Sequence, residues 1–188
     1  MILRSPKKYI RAFVRVLGTN LRLLSGKILH GSSLRFNPVT CLAFSDGVDL
    51  SSKAKVDFGK ALRTRGRCSF NVQEHGELVF GKDIFLNEGC QFNCRFKMHI
   101  GDGCEFGPNV LLYDHDHVFK GGSIHEGSFS YGEVSIGSNC WIGAGTVILR
   151  GTRIGNDCVV AAGSVVKGDI PDGTLFVQKR HASMLEVN

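Results

Sequence analysis

The chain has 188 residues, 43% of them hydrophobic and 21% charged, which is enough apolar material for one core. No apolar stretch approaches the roughly 20 residues that span a bilayer, which excludes a transmembrane helix. With 24 Gly but only 4 Pro, it is neither collagen-like nor a Pro-rich linker.

The net charge of +6 is unevenly placed. Arg4, Lys7, Lys8, Arg11, Arg15, Arg22, Lys27 and Arg35 all precede the first acid, Asp46. Residues 1–45 therefore carry +8 and residues 46–188 carry −2. Within the basic segment, Ile10, Phe13, Val14, Leu17, Leu21 and Leu24 recur at helical spacing. Ser5-Pro6 suits the start of such a helix, and Gly18-Thr19-Asn20 is expected to interrupt or end it. A basic amphipathic helix can lie on an anionic membrane surface, a contact here assigned to residues 1–30, or pack on the body with its basic face solvated. Arg11 and Arg15 break the apolar pattern of a signal peptide, and the cations carry no recognised nucleic-acid-binding motif. The expected location is cytoplasmic, or peripheral at the inner face of the membrane.

From residue 134 a six-residue period takes over. Ile136, Ile142, Ile148, Ile154, Val160 and Val166 follow without a break. Two residues ahead of each stand Val134, Cys140, Thr146, Thr152, Cys158 and Ser164, all small or β-branched. The period returns in broken register at Phe80, Leu86 and Phe92, and again at Ile100, Phe106 and Leu112; Phe58-Gly59 marks a still earlier turn. A period of six fits neither a helix nor a long strand. It fits short strands joined by tight bends, stacked so that a column of Ile and Val is buried. The domain reading is a helical segment 1–45, a solenoid 46–176 with an inserted loop 113–133, and a tail 177–188.

The pattern of an apolar residue followed by Gly at this period resembles the hexapeptide-repeat acyltransferases over roughly residues 50–175. That resemblance implies an all-β fold, a left-handed parallel β-helix, assembled as a homotrimer with active sites between subunits. It also implies acetyl-CoA as acyl donor and a saccharide acceptor, the setting being O-acetylation in surface polysaccharide biosynthesis.

The sharpest local feature is Pro108-Asn109-Val110-Leu111-Leu112-Tyr113-Asp114-His115-Asp116-His117, placed where the repeat breaks. An imidazole can take the proton of a hydroxyl attacking a thioester. The segment is similar to that of the maltose, galactoside and nodulation-factor acetyltransferases, whose catalytic His lies nine residues after the Pro of a Pro-x-Val motif. Counting from Pro108 selects His117 as the base, with His115 second. Capsule and lipopolysaccharide O-acetyltransferases often carry the double Asp-His pair, and either Asp114 or Asp116 is a candidate to orient an imidazole. By the same matching, Asn87 falls on an acceptor-binding Asn, and Arg95 replaces an acidic acceptor position, allowing an anionic or lipid-phosphate-linked sugar.

For the coenzyme, the resemblance places Trp141 near the reaction centre, Ala144 and Ala162 along the pantetheine arm, and Lys167, Lys179 and Arg180 near the phosphates. Two other readings stay open. His-x-His can be half of a metal site, as in a zinc-dependent γ-type carbonic anhydrase, with His99 or His125 as third ligand; or the repeat is a non-enzymatic scaffold. The seven Cys are expected to be reduced, with Cys90, Cys104, Cys140 and Cys158 as small inward residues.

Overall fold

The computed structural model describes residues 6–179, with side chains described from Ile10 onward except that of Arg11. Arg180 lies outside the described residues.

The basic segment forms one helix, Pro6–His30, which runs unbroken through the expected interruption. Tertiary contacts at that point reverse the local signal. Thr19 Oγ1 bonds back to the Arg15 carbonyl at 2.8 Å and across to the Leu42 carbonyl at 3.0 Å. Asn20 Nδ2 likewise donates to the Val16 and Pro38 carbonyls, at 2.8 and 2.9 Å. Gly18 lets the Phe44 ring lie against the helix, since a Cβ there would lie 2.6 Å from that ring. Residues of low helix propensity thus become the docking point of the helix on the body.

Beyond the helix the chain winds as a parallel β-helix with three faces. The first face stacks Leu34–Arg35, Lys55–Asp57, Glu77–Phe80, Lys97–Ile100, Val134–Ile136, Arg153–Ile154 and Asp169–Ile170. The second stacks Arg63–Thr64, Phe85–Leu86, Glu105–Phe106, Trp141–Ile142, Val159–Val160 and Leu175–Phe176. The third stacks Gly47–Leu50, Ser69–Val72, Gln91–Cys94, Leu111–Tyr113, Val147–Ile148 and Val165–Val166. The solenoid begins at Leu34, which pairs with Val56, rather than at residue 46.

The coils are not equal. Register pairs Val56 with Leu78 and Leu78 with Met98, giving coils of 22 and 20 residues. Ile136 pairs with Ile154, giving 18, or three hexapeptides, and only there is the six-residue period unbroken. The longer coils place two side chains of a strand inward, such as Phe70 with Val72 and Leu78 with Phe80. Their core is a ladder of rings: Phe58 stacks on Phe80 at 6.2 Å and Phe70 on Phe92 at 5.5 Å, joined by edge contacts of 5.0 Å.

The small inward residues close the corners. Cys90 Sγ donates to the Gly107 carbonyl at 3.2 Å, Cys104 to Gly137 at 3.0 Å, and Cys140 to Gly155 at 3.0 Å. Thr152 Oγ1 does the same to the Val166 carbonyl at 3.2 Å. Each thiol or hydroxyl here gives a carbonyl of the next coil a hydrogen bond; the Val166 carbonyl also accepts from Leu149 N at 3.0 Å. The described cysteines are all free thiols.

The insertion between the Leu111–Tyr113 and Val134–Ile136 strands is more than an extended loop. His115–Lys120 and Ser123–Tyr131 form an antiparallel hairpin. Its turn is Gly121-Gly122, both at positive φ (63° and 81°), as a two-residue turn matched to strand twist requires.

Candidate active site

The site forms at the corner between the third and first faces, where the hairpin leaves the solenoid. Inward alternation on Leu111–Tyr113 continues from Val110 and Leu112 to Asp114, so a carboxylate takes a core position and is fully buried. It is paired at each oxygen. Arg95 N donates to Oδ1 at 2.9 Å, Phe96 N donates to Oδ2 at 2.8 Å, and His115 Nδ1 lies 2.9 Å from Oδ1. A proton held on Nδ1 by this carboxylate leaves Nε2 of His115 with its lone pair free to accept another.

Period-two alternation along the hairpin sets the remaining groups. His115 stands opposite Tyr131 and His117 opposite Phe129. Both imidazoles meet the Phe129 ring, at 5.4 and 4.7 Å between centroids. His117 is exposed while His115 is half-buried. Asp116 points to the other face and pairs with Arg150 Nε at 2.5 Å. Of the two Asp residues, Asp114 orients an imidazole and Asp116 ties the hairpin to the next coil.

A cleft of about 130 Å³ opens beside the pair, lined by Asn71, Gln73, Asn93, Cys94, Arg95, Tyr113, His115, His117 and Phe129. Arg95 ion-pairs with Glu74 and lies over the Phe129 ring at 4.1 Å, so its charge already has a partner. Tyr131 donates to Glu74 Oε2 at 3.1 Å, and desolvation together with that carboxylate holds its hydroxyl above the usual phenol range. Burial and the neighbouring Asp114 push the Cys94 thiol up, which argues against a thiolate nucleophile in the cleft.

The sequence reading missed the amides. Asn71 and Asn93 are in register on the outer side of the third face, with Tyr113 next in the column. Gln73 Nε2 donates to Asn71 Oδ1 at 2.7 Å. Asn93 Nδ2 is buried with no hydrogen-bond partner among the described residues. The signal was a 22-residue spacing, which has meaning only once the coil length is known.

The remaining expected site residues lie elsewhere. Asn87, Ala144 and Ala162 follow strands of the second face, at its corner with the third. Trp141 is exposed on the second face, between Glu105 and Val159. The backbones at that corner stack closely: a Cβ on Gly107 would lie 2.6 Å from Ala144 N, and one on Gly143 2.4 Å from Ala162 N. The result is an open edge of small residues and backbone groups, which fits a pantetheine arm. Lys167 and Lys179 are both exposed, Lys167 just after Val165–Val166 and Lys179 near the described end of the chain. The two corners are separated by one side of the triangle, about 20 Å for six extended residues. One chain does not bring its histidines and its small-residue edge together. His99 lies on the outer side of the first face and His125 bonds the Lys120 carbonyl at 3.1 Å on the hairpin. Among the described residues no three His, Cys, Asp or Glu side chains gather as metal ligands.

The chain is thus a parallel β-helix of stacked short strands with an Asp-paired histidine, a candidate acid–base group, at one corner. Comparison with known proteins is consistent with this. Residues 133–168 match the bacterial transferase hexapeptide profile of six repeats. The chain is 36% identical over 115 residues to nodulation protein L of Rhizobium meliloti, covering 61% of each chain. It is 34% identical over 96 residues to a galactoside O-acetyltransferase of Lactococcus lactis, covering 51% of this chain and 46% of the relative. A putative acetyltransferase of Schizosaccharomyces pombe is 38% identical over 98 residues, covering 52% of this chain and 47% of that one. The chain thus spans about half the length of the curated relatives it matches. In fold it is similar to AntD, an N-acyltransferase of Bacillus cereus solved with dTDP and 3-hydroxybutyryl-CoA, with TM-score 0.62, 16% identity, and 76% of each chain covered. In repeat and fold, the chain is similar to the hexapeptide-repeat acyltransferases.

Proposed function

We propose that the protein is an acetyl-CoA-dependent O-acetyltransferase acting on a saccharide in surface polysaccharide biosynthesis. The observation that carries this reading is the buried Asp114 carboxylate holding His115 Nδ1 at the mouth of an amide-lined cleft. In this proposal His115, rather than His117, is the general base, because it alone has a carboxylate to fix its tautomer and stabilise the imidazolium. A sugar hydroxyl in the cleft gives its proton to Nε2 as its oxygen attacks, and His115 returns that proton to the departing sulfur. The bound coenzyme supplies an electrophilic thioester carbon. Asn93 Nδ2, with Asn71 and Gln73, offers hydrogen bonds suited to sugar hydroxyls, and Arg95 with Glu74 frames the acceptor.

A homotrimer is part of the same reading. The small-residue edge at Ala144 and Ala162 and the His115 corner lie on opposite ends of one face, so a neighbouring copy is needed to bring them face to face.

The test is release of coenzyme A thiol on incubation with acetyl-CoA and paired amino- and hydroxy-sugars. His115→Ala should lower turnover by roughly 10²–10⁴-fold. His117→Ala should change it by less than about tenfold, and both should leave the thermal midpoint unchanged. The opposite ranking returns the base to His117. Transfer only to amino-sugars replaces O- with N-acetylation.

A further inference from the structure

The helix Pro6–His30 docks by the side opposite its apolar stripe. At 100° per residue, Ile10, Phe13, Val14, Leu17, Leu21, Leu24 and Ile28 fall within an arc of about 100°. All seven are exposed, from 49% at Val14 and Leu17 to 85% at Ile28. The side turned to the solenoid, about 180° away, carries Thr19 and Leu23, which are buried. It also carries Arg22 Nη1, within hydrogen-bond reach of the Ala43, Phe44 and Asp46 carbonyls, and Arg15 Nη2, bonded to the Thr64 carbonyl at 2.7 Å. Polar and cationic groups therefore hold the helix to the body, while its apolar side faces outward over five turns, about 27 Å. A contiguous apolar stripe of this kind on a monomer signals an interaction surface.

Charge decides between occupants. Residues 1–45 contain eight Lys/Arg and no Asp or Glu. A seam of this helix against its own copies would bring cations together with no acidic flanking partners, where self-paired helices place complementary charges. An anionic lipid surface supplies both partners the stripe lacks: hydrocarbon for Phe13, Leu17 and Leu21, and negative headgroups for the cations. Because the stripe points away from the solenoid, the helix can lie flat on a bilayer without the body intervening.

We infer that the outward face of this helix is a membrane-docking surface for anionic lipid bilayers, independent of what reaction the solenoid performs. The test is cosedimentation of the full chain with vesicles of phosphatidylcholine alone, or with about 30% phosphatidylglycerol. Protein should pellet with the anionic vesicles and be released by high salt. The double variant Leu17→Glu, Leu21→Glu should bind them about 100-fold or more weakly, since two buried leucines are lost from the contact. Its thermal midpoint should be unchanged, as neither side chain packs on the body. Equal pelleting with both vesicle types, or equal binding by the double variant, overturns the inference. A lipid-free change of oligomeric mass in the double variant, read by light scattering, also overturns it and assigns the face to other copies of the chain.

Discussion

The lower and upper halves of the solenoid solve the same packing problem with different side chains. Below the hairpin, coils of 22 and 20 residues enclose Phe58, Phe70, Phe80 and Phe92, whose rings fill a wide section. Above it, an 18-residue coil encloses Ile136, Ile142 and Ile148, one branched side chain per face backed by Cys, Thr or Val. The difference lies in corners and strand length. Four-residue strands such as Ser69–Val72 point two side chains inward, whereas Val147–Ile148 points one. The hairpin emerges where the wide section meets the narrow one. The longer Gln91–Cys94 strand carries the chain one step further out, to the Arg95 and Phe96 amides that hold Asp114. A wide coil below thus supplies the cleft, and the coil above supplies Arg150, which ties down the hairpin.

Four substitutions probe that contrast, each read by urea denaturation. Phe92→Ala removes a ring that contacts three others, and should cost about 4 kcal/mol. Asp114→Ala removes a buried carboxylate that accepts from two part-buried backbone N–H groups and should cost about 3 kcal/mol. It should also lower turnover in step with His115→Ala; a variant that loses stability but keeps full turnover would separate the carboxylate from the chemistry. Ile148→Phe asks the narrow section to hold what the wide section holds, and overpacking should cost about 2 kcal/mol. If it is neutral, the two sections differ less than their coil lengths suggest. Arg150→Ala removes a half-exposed pair to Asp116 and should cost less than about 1 kcal/mol. Its visible effect should be faster amide exchange in the hairpin.

How far the sequence could be read follows the same division. The upper coils were legible because 18 is three sixes, so Ile136 through Val166 stay in phase. Phe58 and Phe80 are separated by 22 residues, and the phase slips at each corner, so the lower coils showed only as fragments. The hairpin carried a local signal, Gly121-Gly122 between two strand-length runs, but its faces are largely exposed and lack apolar alternation. At the site, counting from Pro108 picks His117, because a motif match follows chain position alone. The inward phase Val110, Leu112, Asp114 was present in the sequence, yet it favours His115 only once Asp114 is seen to meet the Arg95 and Phe96 amides.

By itself, the sequence determined a stacked, short-strand solenoid, a candidate acid–base segment at residues 114–117, and a basic leader with one apolar stripe. These are periodic or compositional properties, written at short range. Only the tertiary structure decided which carboxylate meets which imidazole, that Asn71 and Asn93 share a cleft, and that the leader helix docks by its polar side. Each of those depends on corners whose lengths vary from coil to coil, and a residue's neighbours across a coil are fixed by register rather than by distance along the chain.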